Sequence, residues 1–165
     1  GKEGGEMMRR LIVTISLSAV ALVGIVASEG YTDRAVIPVP GDVPTIGFGT
    51  TEGVKMGETT TPPKALARAL QDVGRYEGAL KLCVKVPLHQ HEYDAYVSLA
   101  YNIGSRAFCS STLARKLNEG DYPGACREIL RWDRFKGQPL RGLTTRRERE
   151  YRQCIGEAGA GGALQ

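Results

Sequence analysis

The sequence predicts an α+β fold, in which a small N-terminal β-hairpin or sheet precedes a mainly helical body. Residues 29–51 are dense in Gly, Pro and β-branched residues, whereas most of the chain after Pro62 has helical periodicity. A length of 165 residues matches a single domain, since domains average roughly 150 residues. The 42% apolar and 24% charged residues exclude a collagen-like, disordered or multi-pass membrane protein.

The first element is an apolar stretch at residues 11–28, which contains no charge and follows Arg9 and Arg10. This is the pattern of a secretory signal, and the two arginines would hold the N-terminus in the cytoplasm and place the rest outside. A spanning helix needs about 20 apolar residues, and small and polar residues dilute this one, so we expect a weak anchor. The alternative is a buried helix of a cytosolic protein. Residues 1–6 precede the first methionine, Met7, and look like an expression remnant.

The remaining elements follow from turn signals and periodicity. Residues 45–49 (TIGFG) alternate as a short strand does, and residues 53–63 are predicted to be a loop, with Thr61 as an N-cap and Pro62 at the first helical position. Helices are predicted at residues 64–82, 89–104, 111–118, 122–132 and 144–155, and the buried face of the second is formed by Tyr93, Tyr96, Val97, Ala100 and Tyr101. The folded domain therefore covers residues 29–157, after a signal segment at 7–28, and residues 158–165 are predicted to be a flexible tail.

The cysteines and histidines indicate disulfides rather than a metal. All four cysteines lie after the apolar stretch, an even number in the exported part of the chain, namely Cys83, Cys109, Cys126 and Cys154. They allow three pairings. No CxxC is present, and His89 and His91 are predicted to be surface or capping groups. The sequence also lacks a phosphate loop, a Ser-His-Asp set and a Lys/Arg block, and its net charge is only +4. We therefore expect no metal, no cofactor and no nucleic-acid partner.

Glu29 is the candidate for acid catalysis. It follows the apolar stretch directly and precedes the predicted hairpin, where burial disfavours the charged form of a carboxyl group. Glycosidic cleavage needs such a proton donor and a polar group that holds water on the opposite face of the sugar. On these residues alone, a solvated surface glutamate is the simpler interpretation.

Five motifs taken together resemble a known family. They are Glu29-Gly30, TIGFG, YVSLAYNIG, STLARKLNEGD and GLTTRREREYRQC, in that order between about residue 8 and residue 154. They resemble the phage T4-type lysozymes of glycoside hydrolase family 24, in particular the phage 21-like branch with a signal-anchor-release segment. The resemblance implies a lysozyme-like fold and hydrolysis of the β-1,4 bond between N-acetylmuramic acid and N-acetylglucosamine in peptidoglycan. It also implies a monomer that lyses a Gram-negative host from the periplasm, after an initial tether to the inner membrane.

The resemblance assigns roles to single residues. Glu29 matches the general acid, and Thr45 matches the threonine that helps to position the attacking water. The family's aspartate, nine residues after the glutamate, is replaced here by Pro38. Asp42 is the first alternative for the second carboxylate, although aspartate is also a common turn residue. Asp33 is the second alternative.

Other assignments are less specific. Arg146 and Arg147 match the family's closing basic motif and could bind peptide carboxylates, or they could be ordinary solvated charges. Trp132 and Phe135 are expected to anchor the C-terminal helices, with sugar contact as the alternative.

The expected disulfides are Cys83–Cys109, which flank one helical hairpin, and Cys126–Cys154, a pair that resembles one in the phage 21-like branch. Each disulfide would stabilise the folded state by about 3 kcal/mol in the chain-entropy model, because it closes a loop in the unfolded chain.

Two other functions stay open. One is a non-catalytic, membrane-tethered cell-wall-binding or inhibitory protein on a lysozyme scaffold, which the missing acid at Pro38 allows. The other is a lytic transglycosylase, which uses one carboxyl group and no water. In the favoured interpretation, the apolar segment cannot span a membrane and pack on the domain at the same time. The tethered enzyme is therefore expected to be inactive until release.

Overall fold

The computed structural model describes residues 8–157, and the expectations for residues 1–6 and 158–165 lie outside this part. Its α-helices are α1 (Ala19–Glu29), α2 (Pro62–Cys83), α3 (Gln90–Ile103), α4 (Ser105–Cys109), α5 (Thr112–Asn118), α6 (Tyr122–Glu128) and α7 (Arg141–Cys154). Its strands are β1 (Thr32–Val36), β2 (Thr45–Gly47), β3 (Arg134–Phe135) and β4 (Gln138–Pro139), paired as two antiparallel hairpins. The α+β prediction is confirmed.

The apolar N-terminal stretch is not one helix. A 3₁₀ turn at Ile12–Thr14 is followed by extended chain up to Ser18, which caps α1 by accepting a hydrogen bond from the Ala21 amide at 3.1 Å. Ile15 and Ile25 are fully buried in the main core. Among residues 8–157, no helix is both long and apolar enough to cross a bilayer. Ser18, one of the polar residues that dilute the apolar stretch, is therefore the point at which α1 begins.

The first hairpin is a two-stranded sheet, the smaller of the two expected forms. Thr32 pairs with Gly47 and Val36 with Thr45, with an irregularity between these pairs. Residues 37–44 form its loop, and Ala35, Ile46 and Val54 make a small separate core beneath it.

The helical body is organised around α3. The predicted face of this helix is buried, and its N-terminus is closed by a capping box in which Glu92 accepts the His89 amide at 2.8 Å. His89 is thus a capping residue, one of the two expected roles. Thr61 is the N-cap of α2, with Pro62 in its first turn.

The helical body differs from the prediction in four places. The helix expected at residues 122–132 becomes a 3₁₀ turn after Glu128, and α7 begins at Arg141 rather than at residue 144. The hairpin β3–β4 between them was not predicted, nor was the short helix α4. Trp132 packs against the main core, while Phe135 lies half-buried in β3.

Two disulfides fasten the helices, and they are the two pairs expected from the sequence. Cys83–Cys109 joins the end of α2 to the end of α4, and Cys126–Cys154 joins α6 to the end of α7. In both pairs the Cα atoms are 5.7 Å apart, within the normal range for a disulfide.

Candidate active site

Glu29 is the last residue of α1, and the chain leaves the helix through Gly30 with φ of +69°. Such a positive φ favours glycine. The Glu29 side chain is only 16% exposed. It lies in an open pocket of about 830 Å³, which the first half of α7 also lines. This position gives the carboxyl group access to a ligand while most of its surface is removed from water.

Arg146 on α7 is the charged partner of Glu29. Its Nη1 donates to Glu29 Oε1, and its Nη2 donates to the Ser98 carbonyl at 3.2 Å. Its Nε lies 3.4 Å from Oε1 of Glu150. The orientation of the guanidinium toward Glu29 is set by its hydrogen bond to α3 and by its ion pair with Glu150 within α7, in which Nε makes no hydrogen bond.

The turn after β2 approaches the same carboxyl group. Gly49 has φ of +82°, and a Cβ at this position would lie 2.6 Å from Glu29 Oε2. The second glycine of the TIGFG motif therefore leaves space for the catalytic candidate. The turn is anchored by Tyr101, whose hydroxyl donates to the Phe48 carbonyl at 2.6 Å. Burial raises the pKa of Tyr101, so that this donor stays protonated.

A second anchor lies on the far side of the turn. The buried hydroxyl of Thr50 donates to Asp72 Oδ2 at 2.7 Å, and Asp72 also pairs with Arg75 at 2.7 Å. Burial raises the pKa of Asp72, and the bond from Thr50 opposes that rise. These contacts join the turn to α2.

The two candidate acids lie on the exposed hairpin. Asp42 belongs to the loop, where its amide donates to the Val39 carbonyl at 3.0 Å and its Oδ1 accepts the Val43 amide at 2.8 Å. Thr45 opens β2, and its hydroxyl donates to the Val43 carbonyl at 3.2 Å. Asp33 on β1 lies 3.5 Å from exposed Arg34. Asp42 thus makes the local contacts of a turn residue.

Arg147 does not line the pocket. Its side chain is 0% exposed and pairs with Glu150, which is also buried. Its Nη1 donates to Asn102 Oδ1 at 2.8 Å. The expected contact with peptide carboxylates is therefore not available to Arg147 in this arrangement, whereas Arg146 faces the pocket through its bond to Glu29.

Three residues of the site were not singled out from the sequence. They are Gly49, Ser98 and Glu150. A signal existed for two of them, because Gly49 closes the TIGFG motif and Glu150 lies four positions after Arg146, on the same helix face. Ser98 acts through its backbone carbonyl, for which the residue type gives no signal.

Similarity to known proteins assigns the chain to a family. The family described as Phage lysozyme matches residues 26–150. The chain belongs to the phage lysozyme family. It is 36% identical over 141 residues to the SAR-endolysin of Pseudomonas phage phiKMV, covering 83% of this chain and 87% of the relative. It is 32% identical over 144 residues to the SAR-endolysin of Enterobacteria phage P21, covering 86% and 87%.

A solved structure supports the same assignment. The endolysin from Escherichia coli O157:H7 phage FAHEc1 superimposes with a TM-score of 0.75 at 33% identity, covering 88% of this chain and 96% of the other. As a member of the phage lysozyme family, the protein is a glycoside hydrolase and its substrate is peptidoglycan.

Proposed function

We propose that this phage lysozyme is an endolysin in which Glu29 is the general acid for cleavage of the β-1,4 bond between N-acetylmuramic acid and N-acetylglucosamine. The observation that carries the proposal is the carboxyl group of Glu29, which is largely buried, open to a pocket and paired with Arg146. Glu29 would protonate the departing glycosidic oxygen. Arg146 would stabilise the carboxylate that remains, since a cation within hydrogen-bond distance favours the charged form.

Thr45 and Asp42 are proposed to act on the water molecule. They lie on the same hairpin, at the start of β2 and in the loop before it. The turn that follows β2 reaches Glu29 through Gly49. A hairpin tied to the general acid in this way could present a hydroxyl and a carboxylate to the opposite face of the sugar.

Three substitutions test this division of roles. We expect Asp42→Asn and Thr45→Ala each to lower the rate of reducing-sugar release about tenfold or more, the low end for a positioned acid or base. Asp33→Asn is the matched control on the same hairpin and should keep the wild-type rate. If Asp42→Asn matches the wild type and Asp33→Asn does not, Asp33 is the second carboxylate.

Product analysis tests the reaction type. A hydrolase leaves reducing N-acetylmuramic acid ends, because water adds to the cleaved bond, whereas a lytic transglycosylase leaves 1,6-anhydro ends. We expect only reducing ends. A protein that binds peptidoglycan without releasing either product would be the non-catalytic scaffold.

We also propose that the enzyme works in the periplasm after release of residues 11–28 from the inner membrane. The relatives from phages phiKMV and P21 are named SAR-endolysins, and this chain has a weakly apolar, uncharged segment at residues 11–28. The last helix of the segment carries Glu29. A segment held in a bilayer could not place that carboxyl group in the pocket.

Carboxylates on the helical body accept hydrogen bonds from residues 11–28. The Leu17 amide donates to Glu77 Oε1 at 2.7 Å, and the amide and hydroxyl of Ser18 donate to Asp94 at 3.0 and 2.7 Å. Arg9 pairs with Glu92 at 2.9 Å. These contacts satisfy polar groups that would have no such partners in lipid, and so they favour the docked state after release.

Leucine substitutions test release. Replacing Gly24 and Ala21 by Leu should strengthen anchoring and delay lysis, but Ala21 is buried in the docked segment, so leucine there would also hinder docking. Ser16→Leu with Ala19→Leu separates the two effects, because both positions are exposed after docking. We expect this variant to stay in the membrane fraction and to delay lysis. Ser110→Leu, at an exposed serine outside the segment, is the control. A double variant that stays membrane-bound yet lyses on schedule would contradict the proposal.

A further inference from the structure

Glu150 is a buried carboxylate next to the site that does not reach the pocket. It lies on α7 with a side chain 1% exposed. Its Oε1 faces two guanidiniums, those of Arg146 at 3.4 Å and of Arg147. Burying charges is costly, and such a group is often no more stabilising than an apolar replacement. Stability alone therefore does not explain a carboxyl group at this position.

The contacts of the Arg146 guanidinium indicate a role for Glu150. Nη2 donates to the Ser98 carbonyl at 3.2 Å, and Nε faces Glu150. Nη1 is then directed toward Glu29. Without Glu150, the side chain would keep only one fixed partner on the body of the enzyme. It could then rotate away from Glu29.

Glu150 is itself held in place by Arg147. The Arg147 guanidinium is fixed by Asn102 Oδ1 at 2.8 Å and by the Trp132 carbonyl at 3.3 Å. The four side chains form a row of alternating charge that runs from the pocket into the core, in the order Glu29, Arg146, Glu150 and Arg147.

We propose that Glu150 is a positioning residue for the glycosidase reaction, which fixes the Arg146 guanidinium so that one amino group faces Glu29. This inference rests on the proposed function, because it assumes that Glu29 is the general acid. Glu150 does not touch the substrate and acts only through Arg146.

The charge of Glu150 depends on its two arginine neighbours. Burial raises the pKa of this carboxyl group, and the guanidiniums of Arg147 and Arg146 oppose that rise. Around the row lie Arg149 on α7, Tyr76 on α2 and Tyr101 on α3. Burial raises the pKa of both tyrosines, so they are neutral in the working range.

The experiment compares Glu150→Gln, Glu150→Asp and Glu148→Gln in purified protein, with kcat and KM of peptidoglycan hydrolysis as separate readouts. For Glu150→Gln we expect kcat to fall about tenfold or more and KM to change little, because Glu150 acts through Arg146. Glu150→Asp keeps the charge and should have a kcat between those of Glu150→Gln and the wild type. Glu148→Gln removes the same charge from an exposed position on α7 and should match the wild type.

Folding is checked by circular dichroism. If Glu150→Gln does not fold, the kcat of Glu150→Asp tests the inference. The shorter side chain of aspartate should lower kcat in a folded protein. A folded Glu150→Gln protein with the wild-type kcat would overturn the inference, as would a loss of activity that only follows the loss of folded protein or that lies in KM alone. Glu29→Gln is measured in the same series. If it stays active, the proposed function has failed, whereas an inactive Glu29→Gln beside a wild-type-like Glu150→Gln rejects only the role of Glu150.

Discussion

Glu29 and Arg146 are 117 positions apart in the sequence, yet their side chains form an ion pair at the edge of the pocket. One belongs to the last turn of α1, and the other projects from the C-terminal helix α7. The proposed general acid and its charged partner therefore come from the N-terminal and the C-terminal helix of the described chain. The release proposal above requires that this pair forms only when the N-terminal segment has docked.

Arg146→Met should lower kcat about tenfold or more, because the carboxylate formed by proton donation loses its charged partner. Glu150→Gln should lower kcat in the same way, because Glu150 is proposed to act through Arg146. Initial rates of peptidoglycan hydrolysis by the folded variants measure the loss. Arg152→Met, at an exposed position near the end of α7, serves as the control. A folded Arg146→Met protein with the wild-type kcat would argue against the ion pair as a catalytic feature.

Gly49→Ala should impair activity more than stability. The substitution places a methyl group 2.6 Å from the Glu29 carboxyl oxygen and forces alanine to a φ of +82°. We expect about 1 kcal/mol lower stability from the backbone and a large loss of kcat from displacement of Glu29. Gly53→Ala has a similar φ of +68° but open space around its Cβ position. It should lose the same stability and keep its activity. Urea unfolding and initial rates on both variants measure the difference.

Glu128 should make a pH-dependent contribution to stability. Its hydrogen bond from Lys116 at 2.9 Å, with Arg131 as a second partner, lowers the pKa of this carboxyl group below its ordinary value of 4.5. A lowered pKa in the folded state stabilises the protein above the unfolded value, and this stability is lost as the pH falls through the folded value.

The corresponding substitution is Glu128→Gln. It should cost about 1 kcal/mol at neutral pH, and the cost should disappear as the pH falls below the folded pKa. Glu119→Gln breaks an exposed pair with Arg115 and should cost less stability than Glu128→Gln at neutral pH. Urea unfolding at several pH values provides the test, and a pH-independent difference for Glu128→Gln would contradict it.

The parts of the fold that could be predicted are those with a local signal. The buried face of α3 shows in its spacing of Tyr93, Tyr96, Val97 and Ala100, and the turn residues around Pro38 and Gly41 mark the hairpin loop. Helix α4 has five residues, too few for periodicity to be seen. The start of α7 was missed because its N-cap, Leu140, has no capping side chain.

The site could be predicted only as a set of separate residues. Glu29 and Thr45 were identified through the family motif, but the motif does not show that Gly49 lies against Glu29 or that Arg146 faces the pocket while Arg147 is buried. These facts depend on packing between α1, α3 and α7. Ser18, which interrupts the apolar stretch, looked in the sequence like a residue that weakens a membrane span. In the fold it caps α1 and binds Asp94.

The central claim is that Glu29 donates the proton that cleaves the glycosidic bond, and Glu29→Gln tests it most directly. The amide has nearly the same size but no acidic proton. The measurement is the initial rate of reducing-end release from purified peptidoglycan, with circular dichroism and urea unfolding to show that the variant is folded. We expect a folded Glu29→Gln protein to lose at least about a hundredfold in rate. A folded variant that retains a rate close to that of the wild type would contradict it.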